Sequence, residues 1–181
     1  MFKNLLNSIS SIPSKFSLRE EELITNKNGE WLLYSQAIII AAHFLPSYPE
    51  KSTTEINIFI TTISIALIIL AFVLSIRSIL SLGSSFSPFP KPRAGKLLVR
   101  IGAYRFCRHP LYQAMLIASF GISLYLLSLI HLFLFISLCM ILRAKAIKEE
   151  EFLDKLYPEY YLYREKTIAI LPLINYLDWR N

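Results

Sequence analysis

LYQAMLIASFGISLYLLSLIHLFLFISLCMIL, residues 111–142, carries no Asp, Glu, Lys or Arg from end to end; His131 and a scatter of uncharged polar residues are its only interruptions. A helix needs about 20 residues to cross the hydrocarbon of a bilayer. The stretch therefore reads as two short spans folded into a hairpin near Ser128 to His131. Two more apolar stretches, Trp31 to Pro46 and Ile56 to Leu80, add one span each. The expectation is an all-α, polytopic membrane protein of about four transmembrane helices, the first and the hairpin pair short. Composition agrees: 181 residues at 54% hydrophobic and 13% aromatic, with mean hydropathy +0.46, are too apolar for a soluble domain and too few for two domains.

Both ends of the hairpin are chemically unusual. Ahead of it stands GAYRFCRHPLYQA, Gly102 to Ala114, a basic knot closing in Arg-His-Pro. Pro110 suits the first turn of a helix, and His109 then stands at its N-cap, where free backbone amides and the positive helix end favour an anion. Arg100, Arg105 and Arg108 could equally hold the span in register by snorkelling to the interface. Behind the hairpin the chain reads RAKAIKEEEFLDKLYPEYYLYREKTIAILP, so that Arg143, Lys145 and Lys148 lead into Glu149, Glu150 and Glu151. On a continuing helix Lys145 and Glu149 share a face, and one carboxylate turns inward while Glu151 faces water. A hairpin turning on the far side of the membrane returns both of its ends to one surface. His109 to Tyr112 and Lys145 to Glu150 are thus expected to form one pocket.

Charge sets the orientation. Seven Lys or Arg and no acidic residue fall between Arg77 and His109, whereas Pro46 to Glu55 has one Lys and two Glu. The positive-inside rule puts the basic loop, both termini and the pocket in the cytoplasm. The net charge of +6 sits beside spans with no soluble domain to present it, which points to anionic lipid headgroups and away from nucleic acid. Residues 1–30 lack a cleavage site; Phe2, Leu5, Leu6, Ile9 and Ile12 at helical spacing predict an interfacial helix in a cytoplasmic segment. Residues 31–80 supply two spans and 81–181 the functional core, beginning with the Pro-rich crossing Ser81 to Lys96. Cys107 and Cys139 with three scattered His give neither a disulfide nor a metal-ligand spacing. Gln36 and His43, seven apart in the first span, share a face and are read as interhelical contacts ahead of a part in substrate entry.

Leu98 to Tyr112 resembles the L-V-x-x-G-x-Y-x-x-x-R-H-P-x-Y signature of the isoprenylcysteine carboxyl methyltransferase and phospholipid N-methyltransferase superfamily of membrane enzymes. Glu149 to Leu153 is similar to its E-E-x-x-L, and Tyr157 to Tyr163 with Leu171-Pro172 to its closing motifs. The resemblance implies S-adenosylmethionine as cofactor, in a cavity open to the cytoplasm and closed by C-terminal capping helices. It carries Lys96, Leu97, Leu98, Val99, Tyr104, His109, Pro110, Leu111 and Tyr112 over as cofactor-lining positions, with Glu149 at the charged methionine end and Glu150 beside it. It makes Lys145 and Glu149 the catalytic residues, Lys145 standing where the family often has an Arg near the acceptor. Ala114 stands where a Gly is usual, and Lys145 lacks the planar two-point contact of an Arg.

The implied partners are the bilayer and a lipophilic acceptor, prenylated or phospholipid-like, with no nucleic acid and no metal. An isoprenylcysteine-type carboxylate needs no general base, whereas an amine acceptor needs a base such as His109 or Glu150. A phospholipid N-methyltransferase is thus an alternative, as are an NADPH-dependent membrane reductase of related fold and a non-catalytic membrane protein. The Glu149-Glu150 pair favours a cationic ligand over NADPH.

Overall fold

The computed structural model describes residues 29–48, 57–90 and 98–180. The expected interfacial positions Phe2 to Ile12 lie outside them. Five α-helices occur among the described residues: α1 (Glu30–Ala42), α2 (Ile58–Leu82), α3 (Pro110–Leu126), α4 (Leu129–Leu156) and α5 (Tyr160–Lys166). Each boundary has a local cause. The Asn57 side chain caps α2 by accepting from the backbone N–H groups of Phe59 and Ile60. Pro110 opens α3 with His109 as N-cap. Leu127, in the left-handed region at φ 48°, makes the tight hairpin turn into α4. That helix ends at Tyr157, which the following Pro158 holds in an extended conformation.

All four apolar stretches are helical, but only α2 and α4 are long and apolar enough to cross a membrane. At 1.5 Å per residue α1 and α3 reach about 20 and 25 Å, against about 30 Å of hydrocarbon. The C-terminal closure also departs from expectation. One helix of 7 residues is followed by an irregular strap, residues 167–180, in place of a set of capping helices. The reason is in the backbone: the Ile168 and Ala169 carbonyls accept from the Arg108 and His109 N–H groups at 2.8 and 3.0 Å. A segment that pairs sideways in this way cannot make helical bonds along itself, and Pro172 would stop them.

Two packing arrangements position the site. Helices α2 and α3 approach closely at Gly121, where a Cβ would stand 3.1–3.2 Å from Ile68, Leu67 and the Ser64 carbonyl. The second is a buried cluster of Tyr112, Leu116, Leu138, Leu142, Ala146, Ile170 and Leu177, which joins the hairpin's two helices to the strap. At the hairpin's turn end, His43 of α1 hydrogen-bonds Ser119 Oγ of α3 at 2.6 Å, and His131 reaches the His43 carbonyl at 3.2 Å. These intramembrane-type polar groups bond one another between helices.

Candidate functional site

Helix α4 continues unbroken from its apolar half into the charged run, so Lys145, Glu149 and Glu150 are set by one helical frame. Adjacent residues on a helix point about 100° apart. The neighbouring carboxylates therefore meet different surroundings.

Glu150 faces inward and is buried at 3% exposure. Its Oε1 accepts from Arg108 Nε at 2.7 Å and pairs with His109 Nε2 at 2.9 Å; its Oε2 accepts from Trp179 Nε1 at 2.8 Å. The guanidinium of Arg108 is saturated as well. Beyond Glu150 it donates to the carbonyls of Arg164 at 2.8 Å, Trp179 at 3.1 Å and Thr167. One side chain thereby ties the start of α3 to α4, α5 and the strap. Neither the snorkelling nor the anion-docking reading describes it: its donors are all spent inside the protein.

Glu149 instead lines a cleft and keeps 30% of its side chain exposed. Its Oε2 accepts from the Tyr112 hydroxyl at 2.9 Å and lies 3.6 Å from His109 Nδ1. Its Oε1 makes no hydrogen bond among the described residues. His109 sits between the two carboxylates with its ring stacked on Tyr112, 5.2 Å between centroids. Burial pulls the imidazole's pKa down, but the hydrogen bonds and charges of Glu149 and Glu150 outweigh it and push it up to about 9. The raised pKa favours the imidazolium at neutral pH, which donates through Nε2 to Glu150 and stands within charge-contact distance of Glu149.

The cleft encloses about 670 Å³, its open mouth included, and is walled by Leu98, Val99, Tyr104, His109 and Glu149 of the expected positions. Leu82, Phe89, Leu153, Tyr157 and Tyr160 are among its other walls. Pro110, Leu111, Tyr112 and Glu150 stand behind this wall. Lys96 and Leu97 lie outside the described residues. Lys145 is one turn before Glu149, buried, and bonded to Gln36 of α1. Cys107 is no nucleophile: burial pushes its thiol up to about 12.

Sequence reasoning missed the roles of Trp179 and of Gly102. Trp179 arrives from an irregular strap that carries no periodic signal. Gly102 has φ +61° and a Cβ there would stand 2.2 Å from Ser81 Oγ, while that hydroxyl accepts from the Ala103 N–H at 3.2 Å. This glycine seats the basic knot on the end of α2.

The family model for phospholipid methyltransferases matches residues 59–160, more than half of the chain and every helix from α2 to the start of α5. The chain belongs to that family. It is a membrane methyltransferase of the S-adenosylmethionine-dependent kind. No individually curated protein matches it. The donor set of the cleft suits such a cofactor chemically: a partly exposed carboxylate with a free oxygen for an ammonium, and aromatic and aliphatic walls for a purine.

Proposed function

We propose that this methyltransferase acts on the carboxylate of a lipophilic, prenylcysteine-like acceptor at the cytoplasmic face of the membrane. The observation that carries this reading is that, among the described residues, the groups at the cleft able to take a proton are already engaged, with Glu149 reserved in this reading for the ammonium of the cofactor. His109 Nε2 bonds Glu150 at 2.9 Å, the two carboxylates beside it favour its charged form, and Glu150 is bonded to three donors. An amine acceptor must shed a proton, whereas a carboxylate arrives ready to attack.

When bound, S-adenosylmethionine supplies an electrophilic methyl group on a sulfonium. Attack by the acceptor carboxylate on that methyl would give a methyl ester and a neutral thioether, with no proton to remove. The protein's task is alignment and exclusion of water. Glu149 Oε1 would hold the ammonium of the methionine end, and Tyr112 fixes that carboxylate in its rotamer. His109 ties Glu150 to the start of α3, Leu98, Val99 and Tyr104 would form the adenine wall, and Lys145 would face the acceptor. Residues 81–181 are the catalytic core and 31–80 complete the bundle. The chain crosses four times, α1 and α3 as short spans, with both termini and the cleft on the cytoplasmic side; the basic run Arg77 to His109 supports that orientation.

A phospholipid amine is the second reading, and the family match favours it. Detergent-purified protein, given methyl-labelled cofactor, is offered N-acetyl-S-farnesylcysteine or phosphatidylethanolamine. Alkali-labile label on the farnesyl compound is the expected result; alkali-stable label on the phospholipid would overturn the carboxylate reading. Glu149→Gln should weaken cofactor binding roughly 10- to 100-fold, the worth of one hydrogen bond to a charged group. Unchanged cofactor affinity in that variant, or displacement of the cofactor by NADPH, would refute the site.

A further inference from the structure

Lys145 is 3% exposed in the part of α4 that packs against α1, and no ion pair to it exists among the described residues. Its Nζ donates to Gln36 Oε1 at 2.6 Å and stands 5.3 Å from the centroid of the Tyr112 ring. An ammonium has three N–H donors and cannot accept. The amide takes one donor and the ring face partly answers another. Among the described residues the positive charge has no contacting counter-ion. A buried, unpaired cation in an apolar bundle is expensive, and such groups mark sites where an ion or substrate arrives.

Gln36 is arranged around that ammonium. Because Lys145 can only donate, the amide must turn its oxygen toward Nζ; its Nε2 then points to Met115 Sδ at 3.2 Å, a weak acceptor that imposes no competing orientation. Gln36 is itself buried at 6% exposure. It comes from α1, outside the segment that the family model matches. Tyr112 connects the two halves of the arrangement, its hydroxyl on Glu149 and its ring against Lys145.

The resemblance places Lys145 on the acceptor side; we propose that Gln36 of α1 holds the Lys145 ammonium in position there for a negatively charged group of the acceptor amphiphile, a carboxylate or a phosphate, so that α1 contributes a positioning residue to the acceptor site. This rests on the reading that the enzyme methylates a lipophilic acceptor. The neutral amide is the choice that steadies the cation without cancelling it. A carboxylate at position 36 would pair with Lys145 and compete with the incoming anion, and an apolar side chain would release the ammonium.

The test uses the full chain in lipid nanodiscs and reads three quantities: cofactor Kd, direct binding of the amphiphile, and acceptor KM against kcat. The probes are N-acetyl-S-farnesylcysteine for the carboxylate, phosphatidylethanolamine for the phosphate, and the farnesylcysteine methyl ester as a neutral control. Gln36→Glu adds an ion pair and so is expected to fold. It should raise the KM for the anionic probe about tenfold or more while cofactor Kd moves less than about twofold. Gln36→Leu should raise it less, and Lys145→Met should abolish preference for the anionic probe over the neutral ester. Preference for the carboxylate or the phosphate probe identifies the anion's source. An unchanged KM in Gln36→Glu, or a parallel loss of cofactor affinity, would overturn the proposal. So would wild-type protein that binds the neutral ester as well as either anion. Failure of the wild type to bind cofactor would instead strike the proposed function, while the amphiphile-binding arm would still decide the role of Lys145.

Discussion

Replacing Arg108 by Met should cost this protein as much stability as truncating a large buried apolar side chain. The guanidinium is 1% exposed and the carboxylate it faces 4%. Removing it deletes both contacts to Glu150 and the bonds to the carbonyls of Arg164, Thr167 and Trp179. Breaking a buried ion pair from one side costs about 3–5 kcal/mol; here His109 and Trp179 still bond Glu150, and the three carbonyls that lose their donor add to the cost. For a chain of this size each kcal/mol moves the midpoint by about 2–4 °C, so the apparent Tm should fall by roughly 6–20 °C. The assay is thermal unfolding of detergent-purified protein followed by tryptophan fluorescence, since Trp179 sits on the network. A double-mutant cycle isolates the cause: Arg108→Met with Glu150→Gln should be less destabilised than the sum of the single variants, because the orphaned charge is gone. A Tm within about 2 °C of wild type for Arg108→Met would mean that the strap is not held by this residue. Strict additivity in the cycle would mean that the pair is not coupled.

Two other perturbations follow from the same geometry. Gly102→Ala forces a side chain into a left-handed conformation and against Ser81 Oγ; about 1–3 kcal/mol of destabilisation is expected, and a melting curve identical to wild type would show that the loop seats itself some other way. The imidazole of His109 has its pKa raised from 6.5 to about 9 by its two carboxylate neighbours, against the opposing effect of burial. Its stabilisation is therefore fully present below about pH 6.5 and is lost as pH rises through about 9. Melting temperature should decline across that window, and the decline should flatten in His109→Gln; a wild-type profile already flat there would refute the charged imidazolium.

How much of this was readable in the sequence depends on whether the cause is local. Hydrophobic runs located all four apolar helices, and Pro110 with His109 marked the start of α3 to the residue, because helix periodicity and N-terminal proline chemistry are properties of neighbouring residues. The convergence of His109 with Glu149 and Glu150 also followed from a hairpin's geometry. The length of the helices did not: α1 stops at Ala42, where the His43 side chain turns to its own Ile39 carbonyl and to Ser119, although the apolar run continues to Pro46. The strap was illegible because its order comes from distant partners. Ile168 and Ala169 pair with the Arg108-His109 backbone, and Asp178 accepts from the Ala169 N–H. Arg108 was misread for the same reason, since nothing near it in sequence announces that its five donors are taken by residues 42 to 71 positions away.

The division of labour between Glu149 and Glu150 explains why both carboxylates are useful in so small a protein. A cleft that binds a cation at a membrane surface needs a carboxylate that is fixed in place yet not already neutralised. Fixing it by an ion pair would defeat the purpose, because a bonded cation competes with the ligand. Here the ion pair is made by the neighbour: Arg108 and His109 bind Glu150 and lock the frame of α4 against α3 and the strap. Glu149, displaced about 100° around that locked helix, is oriented by a neutral phenol, Tyr112, which holds its geometry and leaves its charge. His109, shared between the two, lies 2.9 Å from the scaffold carboxylate and 3.6 Å from the cleft carboxylate. Its Nε2–H bonds the first, and its Nδ1 stands beyond hydrogen-bond distance of the second. In the proposed acceptor site Lys145 and Gln36 repeat the device with the signs reversed, a buried cation steadied by a neutral amide. In both places a neutral dipole does the orienting so that the full charge stays available to a ligand.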